Sequence, residues 1–200
     1  MCGNGIRCLM RFIQEVIGNL AAITIESHQR IHCIASNADL ISVEMGPPTE
    51  VLWDINISLP GDYACIHFLD TGVPHSVEFV KGIENIDVNG RGLFIRNHAS
   101  FAPTGVNYNA VEVIGDGVIS VRTFERGVEA ETLACGTGAT ASALAAAKIY
   151  GFQAPIKVLT KSSETLEINF KTSKDSFEDV WMAGPAHKIY SGRAEFKVFS

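Results

Sequence analysis

The chain has 200 residues, 46% hydrophobic and 19% charged, enough apolar content to bury a sizeable core as one domain or two small lobes. A formal net charge of −6 and a pI near 5.5 argue against nucleic acid or an anionic membrane as partner, because neither is attracted by such a field; small solutes remain open. No basic segment precedes an apolar signal core, uncharged runs fall short of the roughly 20 residues of a bilayer span, and the 5 cysteines lack CxxC spacing, so a cytoplasmic protein with reduced thiols is expected.

In chain order, residues 4–17 predict a helix. Its polar residues Arg7, Arg11, Gln14 and Glu15 fall on one narrow stripe at about 100° per residue. Ile6, Cys8, Leu9, Met10, Phe12, Ile13, Val16 and Ile17 cover the rest of the circumference, the pattern of a helix enclosed on most sides. Gly18 and Asn19 provide the stop. Short strand-type runs follow, punctuated by Gly, Pro, Asn and Asp: "AAITIES", "RIHCIAS", "LISVEMG", "DINISLP", "YACIHFLD", "HSVEFV", "GLFIRN", "NAVEVIG" and "GVISVRTFER". A second helix is predicted over about 137–150, with Lys148 its only charge, and it too should be surrounded. The strands "IKVLT", "TLEINF", "DVWMAG" and "AEFKVF" close the chain.

The order of features repeats. "CGNG", helix, Gly, strands and "VEMGPP" (43–48) parallels "CGTG", helix, Gly, strands and "VWMAGPA" (180–186). Two related halves are therefore expected, in an α+β fold of two pseudo-symmetric lobes, each a mixed, mostly antiparallel sheet or barrel around a central helix. Residues 1–47 would form the first, incomplete lobe, completed by a strand over 187–200, and residues 48–186 the second.

Each half opens with a cysteine at a helix start, Cys2 and Cys135. The first N–H groups of a helix lack internal partners and carry partial positive charge. A thiol there should have its pKa lowered, and the flanking glycines let a substrate carboxylate approach the backbone. If the halves face each other, the cysteines approach one cleft from opposite sides. Inversion of a carbon stereocentre without a cofactor needs that arrangement: a base on one face, an acid on the other, and preorganised donors for the charge that develops.

"MCGNGIRC" and "ERGVEAETLACGTGA" resemble the two cysteine signatures of the diaminopimelate epimerase family, among the cofactor-independent amino-acid racemases and epimerases. "TGVPHSV", "FAPTGVNYNAVEV" and "VWMAGPAHKIYSG" resemble its other motifs in the same order, so the similarity covers essentially the whole chain. It implies interconversion of LL- and meso-diaminopimelate for lysine and peptidoglycan precursor synthesis, with no cofactor, no metal and a dimer as the usual assembly. By the same resemblance, Cys2 and Cys135 are the acid/base pair, assisted by His75 and Glu125. Gly3, Asn4, Gly136 and Thr137 receive the carboxylate at the reacting centre, while Asn107, Glu125 and Arg126 hold the substrate. Val73 stands where many members carry Asn. The family also has strands ahead of its first cysteine motif, so the chain reads as a fragment or a late start. An unwrapped first helix would expose several apolar side chains at about 1.5 to 3 kcal/mol each.

Other readings compete. A proline-racemase-like enzyme fits less well, since those usually carry His at the position of Asn4. A thiol hydrolase would use Cys135, His75 and Asn107, and an inactive binding fragment is the third alternative. "GTGATA" (136–141) matches a dinucleotide fingerprint, but the segment before it makes a poor buried strand. Cys8, Cys33 and Cys65 read as packing residues. His28 and His32 read as surface residues rather than metal ligands.

Overall fold

The computed structural model describes residues 3–27, 30–37, 39–173 and 176–192. Among the described residues twelve strands join in one mixed sheet: β1 (Ala22–Ser27), β2 (Arg30–Asn37), β3 (Leu40–Glu44), β4 (Glu50–Leu59), β5 (Asp62–Asp70), β6 (Pro74–Phe79), β7 (Asn107–Gly115), β8 (Val118–Glu125), β9 (Ala130–Thr132), β10 (Ile156–Thr160), β11 (Thr165–Ser173) and β12 (Ser176–Pro185). The order across it is β1-β2-β3-β12-β11-β10-β8-β7-β6-β5-β4, with β9 attached to β8. Neighbours are antiparallel except β6–β7 and β8–β10. Parallel neighbours need a crossover. Helix α2 (Val88–Arg96) makes the first crossover and α3 (Gly136–Tyr150) the second. This α+β architecture around a central helix has the expected class.

The two repeat motifs pair with each other. Strand β12 lies antiparallel to β3, with Met182 opposite Val43 and Trp181 opposite Glu44, and Met45 N donates to Val180 O at 2.9 Å. The sheet thus joins residues on either side of position 47, which falls in the irregular stretch between β3 and β4.

Helix α3 is the centre of the larger core. Gly136 to Ala146 are all buried; apart from Leu144 their side chains are small and let the sheet close around the helix, and Leu144 belongs to the same cluster as Met10, Ile41, Val43, Val77, Val158 and Ile168. Gly151, at φ 73°, ends it, as a left-handed residue after a helix does. A second cluster, including Ile57, Ile66, Ile95, Tyr108 and Phe124, packs α2 on the other face of the sheet.

Four expectations change. "GLFIRN" is helix, not strand: Asp87 caps α2 by accepting from Gly90 N at 3.0 Å, and the bare Gly92 lets the helix approach Phe124 of β8. Helix α1 (Gly3–Ile17) is not enclosed on most sides. It buries Gly3, Ile6, Arg7 and Met10, while Leu9, Phe12, Val16 and Ile17 stay exposed. Part of the polar stripe faces the protein beside Ile6 and Met10: Arg7 Nε donates to Pro185 O at 3.3 Å and Arg11 Nε to Ala186 O at 3.0 Å. Cys8 and Cys65 are exposed and Cys33 is half-buried, so the first two are not packing residues. His32 is buried, its Nδ1 3.5 Å from Glu44 O. His28 and the strand "AEFKVF" lie outside the described residues, and 187–192 form no regular element. Among the described residues no helix is long and apolar enough to cross a membrane.

Candidate active site

Helices α1 and α3 begin at the same place. Gly3 and Gly136 both border a cavity of about 220 Å³ and both pack on Met182. A Cβ at Gly3 would lie 2.6 Å from Met182 Cε, and one at Gly136 2.9 Å from its Sδ, so a side chain at either position would have to displace the end of Met182. The repeat motif that carries Met182 is therefore the floor on which the two helix starts meet.

The cavity gathers nearly every residue singled out in the sequence: Gly3, Asn4, Asn107, Glu125, Arg126, Cys135, Gly136 and Thr137, with Val73 and Ala134. Cys2 lies outside the described residues. Asn4 donates through Nδ2 to Ala134 O at 3.3 Å, tying the first helix start to the second motif; its Oδ1 is buried and finds no partner among the described residues. Asn107, at the head of β7, donates to Pro74 O at 3.2 Å and accepts from Arg126 N at 2.8 Å. It thereby fixes the backbone that presents Arg126. Arg126 Nη1 rests on Thr104 O at 2.7 Å, and no described carboxylate lies within ion-pair distance of this guanidinium. Glu125 accepts from Thr132 Oγ1 at 2.6 Å, a bond that spans β8 and β9.

Cys135 is the N-cap of α3, and its Sγ lies 3.4 Å from Thr137 Oγ1. Its thiol is pushed up to about 11, against the lowered value expected from the helix start. Burial is the main cause and the Glu125 carboxylate the second. Hydrogen bonds from the Thr137 hydroxyl and the Gly138 and Thr137 N–H groups oppose them without prevailing. The N–H groups at the helix start lower the thiol as expected, but by less than burial and Glu125 raise it.

His75 does not border the cavity. It stands behind Thr137, fully buried, with Nε2 2.9 Å from Thr137 Oγ1 and Nδ1 3.1 Å from Asn109 Nδ2. The surrounding bonds fix its tautomer. Asn109 also faces Ser76 O at 2.9 Å, an atom that only accepts, and receives the Thr123 hydroxyl on Oδ1 at 2.8 Å. The amide nitrogen therefore points at His75 Nδ1, which must accept, so Nε2 carries the hydrogen and gives it to Thr137. The Thr137 hydroxyl is then free to donate to the Cys135 sulfur. Burial, with Arg126 nearby, lowers the His75 pKa to about 3 and keeps the ring neutral. The Cys135–His75–Asn107 set of a hydrolase is not formed, since Thr137 separates the first two and the histidine's amide partner is Asn109.

Asn109 and Thr123 were missed by sequence reading. The signal was present in "NYN" (107–109), where alternation on one strand puts both asparagines on the same face. Gly138 belongs with them, because a Cβ there would collide with Asn109 Oδ1.

Solved structures share this fold at low identity. A Bacillus anthracis phenazine biosynthesis protein of the PhzF family superimposes with a TM-score of 0.68 at 14% identity, covering 92% of this chain and 73% of that one. A probable proline racemase from Agrobacterium radiobacter gives 0.67 at 15%, covering 92% and 65%. The architecture is thus that of the racemase- and PhzF-like α+β proteins. A family model for diaminopimelate epimerase matches residues 67–189. The diaminopimelate epimerases of Aquifex aeolicus and a Hydrogenobaculum species are 37% and 36% identical to the chain, covering 99% and 100% of it and 71% and 72% of their own lengths. The chain belongs to the diaminopimelate epimerase family, and its enzyme class is isomerase.

Proposed function

We propose that the chain interconverts LL- and meso-diaminopimelate without a cofactor, using Cys2 and Cys135 as the acid/base pair, and so supplies lysine and peptidoglycan precursor synthesis. The observation that carries this reading is the meeting of two helix starts, Gly3 and Gly136, at one cavity beside Cys135, Glu125 and Arg126. One sulfur takes the proton from the substrate α-carbon as thiolate. The other gives its S–H proton to the opposite face, so the reaction ends with the charge moved from one sulfur to the other. Held up to about 11, Cys135 rests as a thiol and suits the donor role in the direction that starts from it.

The α-carboxylate fits the positive ends of the two helices that border the cavity, and the buried Asn4 Oδ1 offers an acceptor to an ammonium group. Arg126, without a carboxylate partner among the described residues, provides a two-point bond for a second carboxylate. Val73 puts an apolar wall where many relatives of the resembled pattern carry an amide.

The test is incubation with diaminopimelate in heavy water. Deuterium should enter the α-carbon, and Cys2→Ala and Cys135→Ala should each abolish conversion of one stereoisomer into the other. Full turnover in either variant would refute the two-cysteine mechanism. Arg126→Ala should mainly raise KM; an unchanged KM would remove Arg126 from substrate binding.

A further inference from the structure

A second cluster of reactive side chains lies on β4 and β5, and none of its members borders the cavity. Cys65 and His67 are two residues apart on β5, so they share a face. Asp54 reaches the same face because the register between β4 and β5 shifts between Leu52 and Ile55, where Asp54 takes a left-handed φ of 57°. Its Oδ1 lies 3.7 Å from both Cys65 Sγ and His67 Nδ1, and one ligand atom from each of the three residues falls within 4.8 Å of the others. We propose that Asp54, Cys65 and His67 form a binding site for a zinc-like divalent cation.

The geometry and the donors agree. Zinc bonds of about 2.0 to 2.3 Å in a tetrahedron place neighbouring ligand atoms about 3.3 to 3.8 Å apart. Thiolate, imidazole and carboxylate together select a borderline cation such as zinc or cobalt over magnesium or calcium. His67 is preorganised: it is buried, and its ring lies against Trp53 and Phe79, each centroid 5.7 Å away. Cys65 and Asp54 are exposed, so the cation reaches the site from solvent and keeps water in its fourth position.

Cys65 Sγ donates to Asp54 Oδ1 at 3.7 Å, and a cation bound by the thiolate takes the place of that proton. Binding therefore releases one thiol proton per cation and exchanges the Asp54 N to His67 Nδ1 contact of 3.4 Å for a metal bond. Scanning for CxxC spacing misses such a site, because its third donor comes from the neighbouring strand.

The experiment is titration of the chelator-treated, reduced full chain with cobalt chloride, followed by competition with zinc chloride. We expect a saturable thiolate-to-cobalt charge-transfer band at one equivalent per chain, reversed by zinc, with one proton released. Cys65→Ser should abolish the band and Asp54→Asn should weaken binding at least tenfold. Both replacements are at exposed positions and spare the fold. Cys8→Ser and Cys33→Ser should leave the titration unchanged. A band of undiminished stoichiometry in Cys65→Ser, or no saturable band in the unaltered chain, would overturn the site.

Discussion

Acidification should cost this fold stability through His75. The ring is fully buried between Asn109 and Thr137, and its pKa falls from an ordinary 6.5 to about 3, chiefly by burial and secondarily by Arg126. Between those values the unfolded chain binds a proton that the folded chain refuses. The stabilisation is therefore complete above pH 6.5 and is lost as pH falls toward 3. Each pH unit in that window is worth about 1.4 kcal/mol, so at pH 4 the loss from this one residue is about 3 kcal/mol. Urea unfolding of the unaltered chain and of His75→Gln, each at pH 7 and pH 4, isolates that share. Carboxylates held low by their partners, such as Glu131 beside Arg122, titrate in both proteins and cancel. The unaltered chain should lose about 3 kcal/mol more than the variant. Equal losses would refute the buried neutral ring, as would a histidine nitrogen resonance that titrates near pH 6 or carries its hydrogen on Nδ1.

Three further outcomes follow from contacts already described or adjacent to them. Glu125→Gln removes the second cause of the raised Cys135 thiol, so alkylation of Cys135 by iodoacetamide at pH 8, read by peptide mass spectrometry, should quicken; an unchanged rate would mean the carboxylate does not act on the sulfur. Gly138→Ala drives a methyl group into Asn109 Oδ1 and to 3.2 Å from His75 Cε1, and thermal unfolding should show a loss of about 1 to 3 kcal/mol. Glu78→Ala leaves the Tyr108 hydroxyl without its acceptor and the Arg91 guanidinium with Asp62 alone on the α2 face; a loss of about 1 to 3 kcal/mol is expected, and Tyr108→Phe should cost less.

The parts of the fold that were legible in the sequence are those where one local pattern decides. The nearly uncharged run after Cys135 could only be a surrounded helix, and the alternating strands from Ala22 onward appear close to their expected bounds. Helix α2 was hidden because Gly90 and Gly92 weaken its helical pattern, while Leu93, Phe94 and Ile95 read as a strand. The reason for Gly92 lies in Phe124, on β8, which no local window contains. Helix α1 has its expected bounds but not its expected enclosure: Arg7 and Arg11 are drawn inward by the carbonyls of Pro185 and Ala186, far along the chain, and the apolar Phe12 and Val16 face out. The site was legible where a motif lists neighbours in sequence, as in Cys135, Gly136 and Thr137. Asn109 and Thr123 act through His75 from separate strands, so their role appears only in three dimensions.

The raised Cys135 thiol also changes what the helix start does for the proposed reaction. A lowered thiol would have made Cys135 a standing base, with its charge already satisfied by the α3 N–H groups. Instead burial and Glu125 outweigh those groups, and the sulfur keeps its proton. The N–H groups that act to lower the thiol belong to Thr137 and Gly138, which open the same helix whose start borders the cavity. A carboxylate seated there, as proposed, would take those donors and add a negative charge beside the sulfur, and both effects would hold the proton on more firmly. The tautomer of His75 works the other way, since a Thr137 hydroxyl with its own oxygen already bonded can turn its hydrogen toward sulfur once the proton has left. In the proposed reaction Cys135 would thus be held as an acid before transfer and supported as a thiolate after it, which is what a residue must do if it is to serve both directions of one stereoinversion.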